Sequence, residues 1–262
     1  MRTLLLLLIV VCLAGCQNAP KAHSSSTVTT DQTRVDDTET IQTLFQSALH
    51  HLRNDDTPAA LTDLRKAAAS QPDNPEVVEA FLVVAMKMRK TGKIEQGLQV
   101  LDLALELQPE KAHFWQTKGS FLFAAQKPVE ARQALVKARE LAPEDPAIVY
   151  DMGWQAAQAE ATYQQALLDY SAAIELDEAY KKAWTNRGAL QSRMGRHAEG
   201  LKDLERAIEL DPDDSVALYE MASVQLAAGK TDEAKKFAQK VVSLNNHPQA
   251  VQAAQLLLDK VE

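Results

Sequence analysis

A beat of small residues and prolines returns about every 34 positions along this chain. The stretches GKIEQGLQVLDLALELQP, ending at Pro109, and GRHAEGLKDLERAIELDP, ending at Pro212, share Gly, Leu, a small residue and a closing Pro at the same offsets. A period of that length fits a stacked array of helix–turn–helix units, because one helix pair cannot bury its apolar face alone. Arrays of this kind present long surfaces to other proteins and seldom carry out chemistry.

Six units open near Ile41, Val78, Ala112, Pro146, Lys181 and Ser215. Small residues fall at Ala48, Ala60, Ala67; Ala85, Gly97, Ala104; Gly119, Ala131, Ala138; Gly153, Ala166, Ala173; Gly188, Gly200, Ala207; and Ala222, Ala234, with Val241 the exception. Ala and Gly are about a fifth of the chain, so chance would not place them at nearly every such site. Interaxial distances of about 8–10 Å require small side chains where helices cross. Bulky residues fill the space beside them: Leu44, Phe81, Trp115, Trp184 and Leu218 at the fourth place, and Leu64, Leu101, Leu135, Tyr170 and Leu204 at the twenty-fourth.

These positions resemble the tetratricopeptide repeat, whose small residues sit at the eighth, twentieth and twenty-seventh places. The resemblance covers most of the chain after residue 40. It implies an all-α, right-handed α-solenoid of about six helix–turn–helix repeats, at residues 41–74, 75–111, 112–145, 146–180, 181–214 and 215–248. Apolar spacing after Pro248 predicts a C-terminal capping helix over 249–262.

Punctuation agrees. Gly92, Gly195 and Gly229 fall where a first helix must end in a left-handed residue. Asn74-Pro75 and Asp145-Pro146 read as an N-cap followed by Pro at the first helical position, and Thr57-Pro58 opens a second helix similarly. Nothing alternates with period two, so no strand is expected. Three departures stand out. Repeat two carries extra residues after Pro72. Repeat four has an insertion in QAAQAEATYQQA, lacks the turn Gly and has Glu178 where Pro is expected. Repeat six has Val241 and Asn246 at signature places.

The first residues read as an export signal rather than as part of the fold. Met1-Arg2 precedes an apolar run from Leu4 to Val11, too short to span a bilayer. Leu13-Ala14-Gly15-Cys16 resembles the lipobox of bacterial lipoproteins. That resemblance implies a signal peptide over 1–15, lipidation of Cys16 and a palmitate-bearing anchor, with more than one acyl chain making the anchoring stable. Gln17 is not the Asp associated with inner-membrane retention, which in a Gram-negative cell implies the inner leaflet of the outer membrane, facing the periplasm. Residues 16–40 are rich in Ser, Thr, Asp and Gln and are expected to form a flexible tether of about 27 Å.

Losing Arg2 with the signal leaves 27 basic against 36 acidic side chains, a net charge of −9. That balance argues against a nucleic-acid partner. No metal-ligand spacing, phosphate loop or nucleophile elbow is present, and the adjacent His50 and His51 diverge on a helix. The chain is therefore expected to be no enzyme and to need no cofactor or metal.

In tetratricopeptide arrays the first helices line the concave face, with places two, five, nine and twelve pointing into it. Here those places hold Phe45, Leu82, Met86, Phe123, Tyr150, Trp154 and Tyr219, more large apolar groups than a solvated face carries. They are the expected partner-binding residues, suited to an amphipathic or apolar segment of an envelope protein. Trp154 either contacts that partner or fills space around the repeat-four insertion. Lys182 and Asn186 occupy places that some family members use to grip a C-terminal carboxylate, but His113, Gln116 and Asp151 do not match the rest of that clamp. The layout is similar to the pilotin lipoproteins of type IV pilus secretins and to tight-adherence pilus assembly lipoproteins. It implies a scaffold for pilus or secretin assembly, or alternatively an adaptor recruiting peptidoglycan-remodelling enzymes or proteases near the outer membrane.

Overall fold

The computed structural model describes residues 30–70 and 74–261. The lipobox, Cys16 and residues 71–73 lie outside the described residues. The chain divides into residues 1–40 and a compact unit, Ile41–Glu262. Described residues form thirteen α-helices and no strand: α1 (Thr30–Arg53), α2 (Thr57–Ser70), α3 (Pro75–Lys90), α4 (Ile94–Leu107), α5 (Ala112–Ala124), α6 (Pro128–Leu141), α7 (Pro146–Ala156), α8 (Tyr163–Leu176), α9 (Lys181–Arg193), α10 (His197–Leu210), α11 (Ser215–Ala227), α12 (Thr231–Leu244) and α13 (Pro248–Val261). The helix begins at Thr30, within the segment expected to be flexible tether.

Helix ends follow the local chemistry. The side chains of Asn74, Asp145 and Asp214 accept from the backbone amides of Glu76, Ala147 and Val216, each at 2.9 Å. Each thereby satisfies a donor that the first turn leaves orphaned. The turn inside a repeat needs one left-handed residue. Gly92, Gly195 and Gly229 supply it, while Asp55 and Gln126 adopt φ of 62° at the same place without being glycine. Repeat four closes differently, through a 3₁₀ turn at Glu160–Thr162. There the Thr162 hydroxyl donates to the carbonyls of Ala156 and Ala159.

Small residues sit where helices cross. Ala48, Ala60, Ala85, Ala131, Ala166, Ala207, Ala222 and Ala234 are all fully buried. Val241 is also fully buried, among residues of α11 and α13, so the last repeat accommodates the larger side chain. Trp115 and Trp184, both at the fourth place, make the same bond: each indole N–H donates to the carbonyl six residues earlier, Pro109 at 2.8 Å and Glu178 at 2.9 Å. The repeat with Glu178 in place of Pro thus keeps the junction geometry of the repeat that has Pro.

Neighbouring first helices touch one another from α3 through α5, α7, α9 and α11 to α13. Among second helices only α2 and α4 meet with more than a marginal contact among the described residues. A layer whose members touch, backed by one whose members splay apart, must curve toward the first. The first helices therefore line the inner face of a helical solenoid.

Candidate functional site: the concave face

Groups from three other first helices converge on Asp151 of α7. Nε2 of Gln116 on α5 donates to its carboxylate at 2.7 Å, while the charges of Lys182 on α9 and Arg89 on α3 act on it across the face. Burial nevertheless pushes the Asp151 carboxyl above the usual carboxylate range, because desolvation outweighs these helpers. Beside it, the Tyr150 hydroxyl accepts from Nδ2 of Asn186 at 2.9 Å, and that amide also donates to the Lys182 carbonyl. Burial raises the Tyr150 phenol to about 12. Asn186, one of the two candidate clamp residues, is thus engaged within the fold.

The expected partner-binding residues fall into three groups. Met86 and Trp154 are exposed, each at 41% of its free surface. Trp154 packs the edge of its ring against Phe123, with centroids 5.2 Å apart, and leaves the rest open. Leu82, Phe123 and Tyr219 are half-buried on the same layer. Val83, which the sequence reading passed over, is 52% exposed between Leu82 and Met86.

Phe45 and Tyr150 stand apart from the rest. Phe45 is buried, edge-on to Phe81 with centroids 6.1 Å apart, so it belongs to the packing between α1 and α3 and not to the binding surface. Tyr150 is wedged between Tyr170 and Tyr180, at 5.8 and 5.5 Å, and its hydroxyl is spoken for by Asn186. It shapes the floor of the face from within the repeat.

Two apolar depressions open on this layer. One, of about 460 Å³, is bordered on α3 by Leu82, Val83 and Met86 with Lys87 and Lys90 beside them. The other, of about 420 Å³, lies between α11 and α13 and is lined by Tyr219, Ser223, Leu226, Leu256 and Leu257, with Lys260 at its edge. Leu256 is 57% exposed, at the place where preceding repeats have Ala or Gly.

Two ion pairs to buried carboxylates tie neighbouring helices together. Arg187 of α9 forms a two-pronged bond with Asp203 of α10, at 2.7 and 2.9 Å, and its guanidinium lies 4.9 Å from the Trp184 ring. Arg132 of α6 reaches Asp169 of α8 at 2.8 Å. Sequence reasoning missed both. The available signal was Asp immediately before the bulky twenty-fourth residue, as in Asp169-Tyr170 and Asp203-Leu204. Among the described residues no group of three His, Cys, Asp or Glu is placed to hold a metal ion. None of their helices is long and apolar enough to cross a membrane.

Comparison with known proteins agrees with this architecture. Residues 192–258 match the family model described as tetratricopeptide repeat. Among curated proteins, the chain is 30% identical over 105 residues to the peroxisomal targeting signal receptor of Candida albicans, covering 40% of this chain and 18% of that one. It is 38% identical over 72 residues to Hsp70-Hsp90 organizing protein 1 of Glycine max, covering 28% of this chain and 13% of that one. The chain spans less than a fifth of the length of these relatives. Among solved structures it is similar to PilW, described as a widely conserved type IV pilus biogenesis factor, with a TM-score of 0.62 and 17% identity over 83% of this chain and 98% of that one. Pseudomonas aeruginosa PilF gives a TM-score of 0.59 at 17% identity, covering 84% and 99%. YrrB, described as a tetratricopeptide protein with an unusual peptide-binding site, gives 0.50 at 21% identity, covering 73% and 97%. Residues 192–258 are thus a tetratricopeptide-repeat segment by sequence, and the fold from Ile41 onward is that of the helical-repeat solenoids.

Proposed function

We propose that the chain is a lipid-anchored scaffold that binds a segment of an envelope protein on its concave face and assists assembly of a pilus or secretin complex. The observation that carries the binding surface is the exposure of Val83, Met86 and Trp154 on the layer of first helices, with half-buried Leu82 beside them. Exposed apolar side chains on repeats two and four suit an amphipathic segment laid across them. The anchor rests on the lipobox ending at Cys16, which would hold the array at the periplasmic face of an outer membrane. The pilus role draws on the layout of signal, tether and repeats and on the similarity in fold to PilW and PilF.

The test is affinity capture from detergent-solubilised envelopes, read by mass spectrometry, comparing the native chain with a Met86→Ala/Trp154→Ala variant. Both side chains are exposed, so the variant should keep its helicity and melting temperature. A pilus or secretin component lost in the variant is the expected result. Wall-remodelling enzymes in its place would move the assignment to the adaptor role. Partners that survive the substitutions would move it off this face.

A further inference from the structure

The two layers of the array carry opposite charge. The first helices α3, α5, α7, α9, α11 and α13 hold nine Lys or Arg against five Asp or Glu, while the second helices α4, α6, α8, α10 and α12 hold eight against thirteen. The inner layer is thus net basic in a chain whose formal net charge is −8. Burial pushes two of its five carboxylates, Asp151 and Glu220, above the usual carboxylate range, and Arg193 of α9 is the opposing charge that acts on Glu220. Neither carboxylate borders the depression on α3.

That depression has a charge polarity of its own. Its described lining is Glu79, Leu82, Val83, Met86, Lys87 and Lys90, residues spaced to share one face of α3. Glu79 stands at one end, and Val83 and Met86 lie open in the middle. Lys87 and Lys90 close the other end, about 12 and 16 Å from Glu79 along the helix axis.

The cationic end is not a requirement of the helix. A helix C-terminus favours cations, yet the last turns of α5, α7 and α11 hold none, while that of α3 holds Lys87, Arg89 and Lys90. Nor do Lys87 and Lys90 tie the fold together, for neither has an ion pair or a side-chain hydrogen bond among the described residues. Other lysines of the array find one: Lys93 with Asp55 and Lys118 with Asp102, each at 2.7 Å. Two unpaired ammonium groups beside exposed apolar side chains, in a chain with an excess of acids, call for a ligand that brings the opposite charge.

We infer that the α3 end of the concave face binds an acidic amphipathic segment, with apolar side chains seated against Leu82, Val83 and Met86 and Asp or Glu side chains meeting Lys87 and Lys90. This rests on the concave face being the binding surface. Glu79 repels an acid at the opposite end, so the segment is held in one direction. The acids are side chains within the segment, which sets this site apart from a clamp that grips a terminal carboxylate.

The experiment selects a random dodecapeptide library against the full-length protein, displayed on phage with each peptide's C-terminus fused to the coat protein, so that no terminal carboxylate is offered. Winners are measured by fluorescence anisotropy as amidated peptides. The expected winners place Asp or Glu beside apolar residues. Lys87→Glu/Lys90→Glu in the protein should weaken their binding at least about tenfold. Exchanging the winner's acids for Lys should restore binding to that variant and abolish it for the native chain, which a merely structural pair of lysines would not produce. Winners without acids, or whose affinity ignores the lysine reversal while falling with Met86→Ala/Trp154→Ala, would overturn this inference and leave the concave face standing. Winners indifferent to both double variants, or no winners, would overturn the concave face as well. Thermal melts of each variant confirm that the fold is intact.

Discussion

Gly188 of α9 and Gly200 of α10 face each other where the two helices of the fifth repeat cross. A Cβ placed on Gly200 would sit 2.6 Å from the Gly188 carbonyl oxygen, and one on Gly188 would sit 2.8 Å from the Gly200 carbonyl oxygen. Backbone meets backbone, so no flexible side chain is available to move aside. Gly200→Ala should therefore destabilise the chain by about 1–3 kcal/mol despite the better helix propensity of Ala. Urea unfolding checks this; an unchanged or raised midpoint would show that the helices are farther apart than described.

The Arg187–Asp203 pair gives a second test of the same repeat. Their side chains retain only 18% and 9% of their free exposure, so removing one partner strands the other. Asp203→Ala should cost about 3 kcal/mol, and Arg187→Met/Asp203→Leu together distinctly less than the sum of the two single changes. A double-mutant cycle in denaturant measures the coupling.

Glu220 makes a pH-dependent prediction. Its folded pKa is raised, so the folded chain binds this proton more tightly than the unfolded chain does. The penalty is absent below the ordinary value of 4.5 and grows as pH rises through the folded pKa. Glu220→Gln should raise the melting temperature at pH 7 by about 1–3 °C and make no difference near about pH 3.5, where both states are protonated. Differential scanning fluorimetry across pH reads it directly; a lower melting temperature at pH 7 would mean that Glu220 has a partner in the fold.

The anchor has its own test. Cys16→Ser should abolish metabolic labelling with palmitate and release the array in soluble, fully helical form. Variant protein that stays with the membrane fraction would contradict lipidation at Cys16.

Much of this architecture was legible because close helix crossings leave a fixed trace. Ala48, Ala85, Gly119, Gly153, Gly188 and Ala222 recur at one place because a second helix passes there, and Asn74, Asp145 and Asp214 precede the first turns they cap. Spacing identifies a face, however, and not what covers it. Phe45 and Met86 occupy inward-facing places of neighbouring repeats, yet Phe81 covers the one and nothing among the described residues covers the other. Tyr150 reads as a groove residue until Tyr170, Tyr180 and Asn186 close around it. Glu220 could not have been singled out at all, since its distinction is a missing partner, and that depends on where Arg193 ends up. The helical start at Thr30 was hidden by a polar composition that carries no apolar stripe.

The central claim is that partners lie against the first helices. Site-specific photo-crosslinking in cells tests it most directly, with benzoylphenylalanine placed singly at Met86, at Trp154 and at Leu168, which is 64% exposed on the second helix α8. The expected result is a shared crosslinked product from positions 86 and 154 and none from 168. A product from 168 alone would place the binding surface on the outer layer and contradict the account.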